Sequence, residues 1–268
     1  MAGTIVEVGP AVTNFKVGDE VYARPDNYRI GTFAEYIAVH ENDLAYKPKN
    51  ISMEEASSIP LVGLTAWQAL VEIANLQKGQ KVFIQAGSGG VGTFAIQLAK
   101  HLGAFVATTT SAANIQLVKS LGADLVIDYK KEDFVTILKD YDVVLHSNRE
   151  AKVLENSLKI LKQGGTLVSL TGPPTPEFAK EIGLAWHFQT LMSLLSLSVR
   201  RKAKKQKLNF KFLFMRAEGK QLSKITSLIE AGKIRPVLDK VFPFEQTNEA
   251  LAYVESSRAK GKVVIKVK

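Results

Sequence analysis

Gln85-Ala86-Gly87-Ser88-Gly89-Gly90-Val91-Gly92 is the stretch whose reading decides the fold. It follows the short apolar run Lys81-Val82-Phe83-Ile84-Gln85-Ala86 and opens a helical pattern, Val91 to Leu102, that Gly103 stops. Gly87, Gly89 and Gly92 spell G-x-G-x-x-G. The first glycine permits a tight strand-to-helix turn. The second lets backbone approach a pyrophosphate, and the third lets the helix pack close to the sheet. Free N–H groups and the dipole at the helix start then meet phosphate charge. On its own such a spelling is weak and can be a merely tight turn. With a strand before it and a helix after it, the stretch reads as a dinucleotide-binding loop.

Working outward, the same alternation continues. Phe105 to Thr110 is a second strand, Asn114 to Leu121 a helix ended by Gly122, and further short strands fall at Leu125-Val126-Ile127, Val143-Val144-Leu145 and Thr166 to Leu170. Phe210 to Phe214 supplies a sixth. Strands alternating with helices argue for a parallel sheet covered on both faces, so the fold class is α/β, a Rossmann doubly wound sheet. Upstream, Thr4 to Val8, Glu20 to Ala23 and Phe33 to Val39 read as short strands with turns at Gly9-Pro10 and Val17-Gly18-Asp19. Ser52-Met53-Glu54-Glu55 has capping-box spacing, and Leu64 to Leu76 has helical periodicity up to Lys78-Gly79. Gln221 to Glu230 and Asn248 to Ser256 read as helices, and Val263 to Val267 as a closing strand.

Composition removes several alternatives. The 268 residues are 46% hydrophobic and 23% charged and contain no cysteine, which excludes a disulfide scaffold, thiolate zinc ligands and a cysteine nucleophile within this sequence. The net charge is +9, but Arg200, Arg201, Lys202, Lys204, Lys205, Lys207, Lys211 and Arg216 fall between Leu184 and Ala217 with no acidic residue. That describes one basic patch, not a basic protein. A solvated helix or loop face is the plain reading of it, a cleft or subunit contact the next, and nucleic acid or an anionic membrane the least favoured. The apolar run Leu184 to Val199 is too short and too polar for a membrane span. Met1-Ala2-Gly3 leads straight into Thr4 to Val8 without an apolar leader, so a cytoplasmic location is expected.

An acidic residue at the end of the second strand, ~20 residues past the glycines, binds the ribose 2′-hydroxyl of NAD. Here that strand ends Thr108-Thr109-Thr110-Ser111, with no acid. Hydroxyls and Asn114 can donate to a 2′-phosphate that an aspartate would repel, so NADP(H) is the expected cofactor. The plain alternative is a polar strand end and helix cap.

Beyond the glycine loop, further motifs carry a family resemblance. They are Gly3 to Gly9, Phe15 to Val21, Gly63-Leu64-Thr65-Ala66-Trp67, Lys119 to Asp124, Ile127-Asp128-Tyr129 and Arg258 to Val264. In this order they resemble the zinc-independent medium-chain dehydrogenase/reductases of the quinone oxidoreductase type, over essentially the whole sequence. The resemblance implies a GroES-like β catalytic domain (1–62 and 218–268) beside a Rossmann domain (63–217). It implies NADPH-dependent hydride transfer to a quinone, enone or enal, a small electrophilic acceptor, without a metal. It places Thr65 near the nicotinamide ribose and Ser88, Gly89, Gly90 and Val91 at the pyrophosphate. Ser111, Asn114 and Tyr129 fall around the 2′-phosphate, beside the strand end Thr110, and Leu170, Thr171 and Gly172 lie beside the nicotinamide. Family members often carry lysine where Asn114 stands. They also end the fourth strand with an acid and glycines where this sequence has His146-Ser147-Asn148. About sixty residues usually precede the segment matching Ala2-Gly3-Thr4, so the catalytic domain is expected to be partial. A homodimer is the expected assembly.

The remaining candidates have plain readings. His40, His101, His146 and His187 are scattered without metal-ligand spacing. His146 is the one near the expected cofactor cleft, where a polar contact is favoured over catalysis. Tyr22, Tyr28 and Tyr36 are available phenols but read as packing or strand surface. No catalytic residue is assigned: hydride transfer needs positioning and charge stabilisation more than a protein acid or base. The alternative functions are a non-catalytic NADPH-binding protein with a structural or nucleic-acid role, or an inactive short form.

Overall fold

Three short strands, β1 (Ala2–Thr4), β2 (Glu20–Ala23) and β3 (Leu44–Tyr46), pair antiparallel in the order β1-β2-β3. The computed structural model describes residues 1–27, 31–256 and 258–267. β1 stops at Thr4 because its partner begins at Glu20. Beyond that pair the chain turns through Gly18, and Val6 and Val8 are exposed. The strand expected over Thr4 to Val8 is therefore displaced and short. Phe33 to Val39 is irregular and joins no sheet among the described residues, with Phe33 and Tyr36 more than half exposed. Alternating side chains make a strand only where a neighbouring backbone completes the ladder.

Helix α1 (Met53–Ser57) starts at the expected capping box. The Ser52 hydroxyl accepts from the Glu55 N–H at 3.1 Å, and the Glu55 carboxylate accepts from the Ser52 N–H at 2.9 Å. α2 (Pro60–Trp67) begins earlier than the periodicity suggests, at a proline whose missing N–H costs nothing in a first turn. It continues as a π-helical stretch over Gln68–Ile73 and ends by Asn75, which has φ +46°. The alternating segment follows: β4 (Lys81–Ile84), α3 (Gly90–His101), β5 (Phe105–Thr110), α4 (Ile115–Ser120), β6 (Leu125–Asp128), α5 (Phe134–Ile137), β7 (Tyr141–His146), α6 (Ala151–Lys159) and β8 (Leu161–Ser169). After it come α7 (Pro176–Glu181), α8 (Trp186–Leu195), α9 (Leu197–Lys205), β9 (Asn209–Phe212), α10 (Gly219–Glu230), β10 (Leu238–Pro243), α11 (Thr247–Glu255) and β11 (Lys262–Lys266).

The chain forms two units: Met1–Trp67 with Gly89–Phe94 and Met215–Lys268, and Gln68–Ser88 with Ala95–Phe214. In the first, the Tyr22 hydroxyl donates to the Leu222 carbonyl at 2.8 Å and lies 2.9 Å from the Thr226 hydroxyl, tying β2 to α10. β10 and β11 pair in parallel. The sequence reading missed β10, because Leu238 to Pro243 mixes charge with apolar residues and ends in proline.

The second unit is a six-stranded, all-parallel sheet in the order β6-β5-β4-β7-β8-β9. The chain leaves β4 in one direction through β5 and β6 and returns to build β7, β8 and β9 on the other side. That places the topological switch between β4 and β7, where open α/β sheets bind ligands at the carboxyl ends of the strands. Phe83, Val144 and Leu167 on one sheet face pack with Leu154 and Leu158 of α6 and Val199 and Ala203 of α9. The doubly wound sheet expected from the alternation is present, with Phe210 on the sixth strand.

Candidate functional site

Loops at the carboxyl ends of β4, β5, β7 and β8 assemble the polar residues of the second unit. β4 buries Val82, Phe83 and Ile84 completely and then turns sharply, with Ala86 at φ +52°. Two bonds to the end of β5 hold this turn. The Ala86 N–H donates to the Thr109 hydroxyl at 3.2 Å and the Gly87 N–H to the Thr109 carbonyl at 2.9 Å. A Cβ on Gly87 would lie 2.2 Å from Thr108 Oγ1, which itself donates to the Ile84 carbonyl at 2.6 Å. Only glycine fits at this first fingerprint position. Gly89, Gly90, Val91 and Gly92 lead into and begin α3, and the Thr93 N–H closes onto the Gly89 carbonyl at 2.9 Å.

Ser88 joins this loop to the end of β5. Its Oγ accepts from the Thr110 hydroxyl at 2.9 Å and from Asn114 Nδ2 at 3.2 Å. With both lone pairs used, the Ser88 proton remains to be donated to a ligand. Asn114 Oδ1 is buried and unpartnered; exchanging its amide O and N would present a donor there but turn the Ser88 proton onto the amide oxygen. Ser111 caps a short 3-10 turn over Ala112–Asn114 through its carbonyl, while its side chain makes no capping bond. β5 and β6 pair Thr110 with Asp128, bringing Tyr129, 60% exposed, alongside; its N–H donates to the Thr110 carbonyl at 3.2 Å. Thr110, Ser111, Asn114 and Tyr129 thus gather with Ser88 and Gly87.

A second group sits at the ends of β7 and β8. His146 stands opposite Ser169, with Nδ1 2.9 Å from the serine Oγ. The same Oγ accepts from the Gly172 N–H at 2.8 Å. A Cβ on Gly172 would fall 2.6 Å from it, so this turn also needs glycine. The Leu170 N–H donates to the His146 carbonyl at 2.9 Å, and the Thr171 hydroxyl to the Asn148 carbonyl at 2.6 Å. His146 Nε2 is buried without a partner, and burial pushes the imidazole pKa down to about 4, so the ring is neutral near pH 7. Gln85 supports the group: its Nε2 donates to the Ser157 hydroxyl at 2.8 Å and its Oε1 accepts from the Ser147 N–H at 3.2 Å. Sequence reasoning missed Gln85 and Ser169. Gln85 stood beside the glycines but carried no signal of its own, and the Ser169 role depends on the β7–β8 register.

Thr65 lies in α2 of the first unit, buried, its hydroxyl donating to the Leu61 carbonyl at 2.7 Å. Tyr22 is a packing residue and Tyr36 is exposed; Tyr28 lies outside the described residues. His40 Nδ1 accepts from the Asn42 N–H at 3.1 Å. Among the described residues no three His, Asp or Glu side chains are placed to hold a metal ion.

Fold and loops together define a doubly wound α/β protein with a glycine-rich strand-to-helix turn at its topological switch. Residues 121–265 match the zinc-binding dehydrogenase family model, and residues 1–49 match the alcohol dehydrogenase GroES-like domain. The 2-methylene-furan-3-one reductase of Solanum lycopersicum is 38% identical over 99% of this chain and 62% of its own length. The chloroplastic NADPH-dependent alkenal/one oxidoreductase of Arabidopsis thaliana is 37% identical over 99% and 62%. The chain therefore spans less than two thirds of these two relatives. Among solved structures, the quinone oxidoreductase of Coxiella burnetii superposes with a TM-score of 0.85 at 30% identity, covering 100% of this chain and 78% of the other. The chain belongs to the medium-chain dehydrogenase/reductase family, in its quinone oxidoreductase-like branch. The zinc of the family's name does not fit here: the sequence has no cysteine, and no ligand cluster forms among the described residues.

Proposed function

We propose that this protein is an NADPH-dependent oxidoreductase that reduces a quinone or an activated C=C bond of an enone or enal. The observation that carries the reading is the Ser88–Thr110–Asn114 cluster beside Gly87, with hydroxyls and an amide at the end of β5 and no carboxylate on that strand. The first relatives' names, a 2-methylene-furan-3-one reductase and an NADPH-dependent alkenal/one oxidoreductase, support the acceptor class. Gly87 lets the loop close against Thr108 of β5, Gly89 lets backbone approach a pyrophosphate, and Ser88 keeps a proton to donate. Ser111 and Tyr129 offer the 2′-phosphate donors, and Asn114 holds Ser88 beside them. The Leu170–Gly172 turn, held by Ser169, offers the nicotinamide a fixed backbone edge. Bound reduced nicotinamide supplies the hydride. The chain's residues orient that ring and the acceptor, and solvent water can protonate the product.

In this reading residues 1–62 and 218–268 form the catalytic part and 63–217, Thr65 included, the cofactor part. Among the described residues β9 is an edge strand of the sheet, and its open backbone edge supports a homodimer. The cytoplasm stays the proposed location; relatives include chloroplastic and mitochondrial proteins, so fractionation is the test. Among the described residues no helix is long and apolar enough to cross a membrane. NADPH oxidation followed with a panel of quinones, enones and enals tests the activity. Tight NADPH binding without turnover of any acceptor would leave a cofactor-binding protein.

A further inference from the structure

α8 is an apolar helix with one broad face that its own unit leaves uncovered. None of its ten residues is buried. Trp186 is 75% exposed and Leu194 65%, and Phe188, Leu191 and Leu195 are exposed with them. At about 100° per residue these five side chains sweep roughly 200° of the helix surface. Only Thr190 and His187 interrupt that arc. Leaving so much apolar surface in water forfeits burial that a core helix would gain, so this face marks an interaction surface.

The chain next to α8 narrows the choice of partner. Ser196, fully buried, joins α8 to α9, where Val199 and Ala203 enter the core and leave Arg201, Lys202, Lys204 and Lys205 in solvent. Lys202 pairs with Glu155; Arg201, Lys204 and Lys205 have no ion pair among the described residues. From Leu184 to Ala217 there are eight basic residues and no acidic one. A second copy meeting this face in a two-fold dimer would set like charges against each other. A nucleic acid would satisfy the cations yet leave the leucines in water. A helix of ten residues is about 15 Å long, half of the ~30 Å hydrocarbon thickness, so it cannot span a bilayer. An apolar arc with a tryptophan and a neighbouring basic face has the make-up of a helix lying in the headgroup region.

We propose that α8 and the basic face of α9 form a docking surface for an anionic lipid bilayer. Trp186, Leu191, Leu194 and Leu195 enter the headgroup boundary, and Arg201, Lys204 and Lys205 meet lipid phosphates. The proposal is independent of the cofactor and acceptor chemistry.

Flotation of the full chain with vesicles tests it, comparing equimolar phosphatidylglycerol and phosphatidylcholine with phosphatidylcholine alone. Trp186 emission is isolated by subtracting the Trp186→Phe variant. The protein is expected to float with the anionic vesicles at least tenfold more tightly than with neutral ones. Trp186 emission shifts to the blue, and added salt weakens binding. Leu191→Glu with Leu194→Glu, and separately Arg201→Glu with Lys204→Glu and Lys205→Glu, each lower the affinity at least tenfold at unchanged melting temperature. All of these positions are exposed, so the variants fold. Absence of flotation, equal binding to neutral vesicles, or an unshifted Trp186 on bound vesicles overturns the proposal. So does burial of Trp186 on self-association without lipid, or a preference for an RNA oligonucleotide over anionic vesicles.

Discussion

His146 and Ser169 face each other across neighbouring parallel strands, imidazole Nδ1 to hydroxyl at 2.9 Å, and the same hydroxyl receives the Gly172 N–H. One side chain thus links the end of β7 to the turn after β8. Ser169→Ala removes the partner of both groups while leaving them buried, at a cost of about 1–3 kcal/mol. A melting curve is expected to fall by several degrees. Under the proposed function, NADPH affinity falls with it. An unchanged melting temperature would show that water replaces the serine.

Acid should weaken the fold through His146. Its neutral form is held by burial, with a pKa of about 4 against 6.5 for an exposed histidine. Between those values the unfolded chain binds a proton that the folded chain does not, so stability falls as pH drops from 6.5 toward 4. Denaturant titrations across that range should show this slope. His146→Gln should flatten it relative to the parent.

Gly87→Ala places a methyl group 2.2 Å from Thr108 Oγ1 and must push the loop off β5. Overpacking of this kind costs about 1–3 kcal/mol. Calorimetry is expected to show NADPH binding lost, alongside a lower melting temperature. Retained full affinity would remove this loop from the cofactor site.

Ser111 sits at the end of β5 with no capping bond from its side chain. Ser111→Asp adds repulsion for a 2′-phosphate and an acceptor for a 2′-hydroxyl, so the NADPH-to-NADH affinity ratio should fall about tenfold, ~1.4 kcal/mol. Titration of both cofactors measures it. A parent chain that binds NADH as tightly as NADPH would contradict the phosphate reading at its root.

Metal should be dispensable. The chain has no cysteine, and no cluster of possible ligands forms among the described residues. A chelator is expected to leave the melting temperature unchanged, and elemental analysis to find no stoichiometric zinc. One zinc per chain would direct attention to His40 and His146.

The sequence was most legible where structure is local. β2 and β5 run between the residues at which composition changes, and the Ser52–Glu55 box forms as spelled, because each depends on neighbours a few residues away. It was least legible where a partner decides. Phe33 to Val39 alternates like a strand and lies in no sheet among the described residues, whereas the charged, proline-ended β10 pairs with β11.

The glycine loop, the missing acid at the end of β5 and the βα alternation follow from the sequence alone, since turn geometry, charge and periodicity are properties of short segments. The bond between His146 and Ser169, the space that only Gly87 fills, and the exposure of α8 belong to the tertiary structure. Register and burial are relations between distant segments, and a leucine-rich run reads the same whether a core covers it or water does.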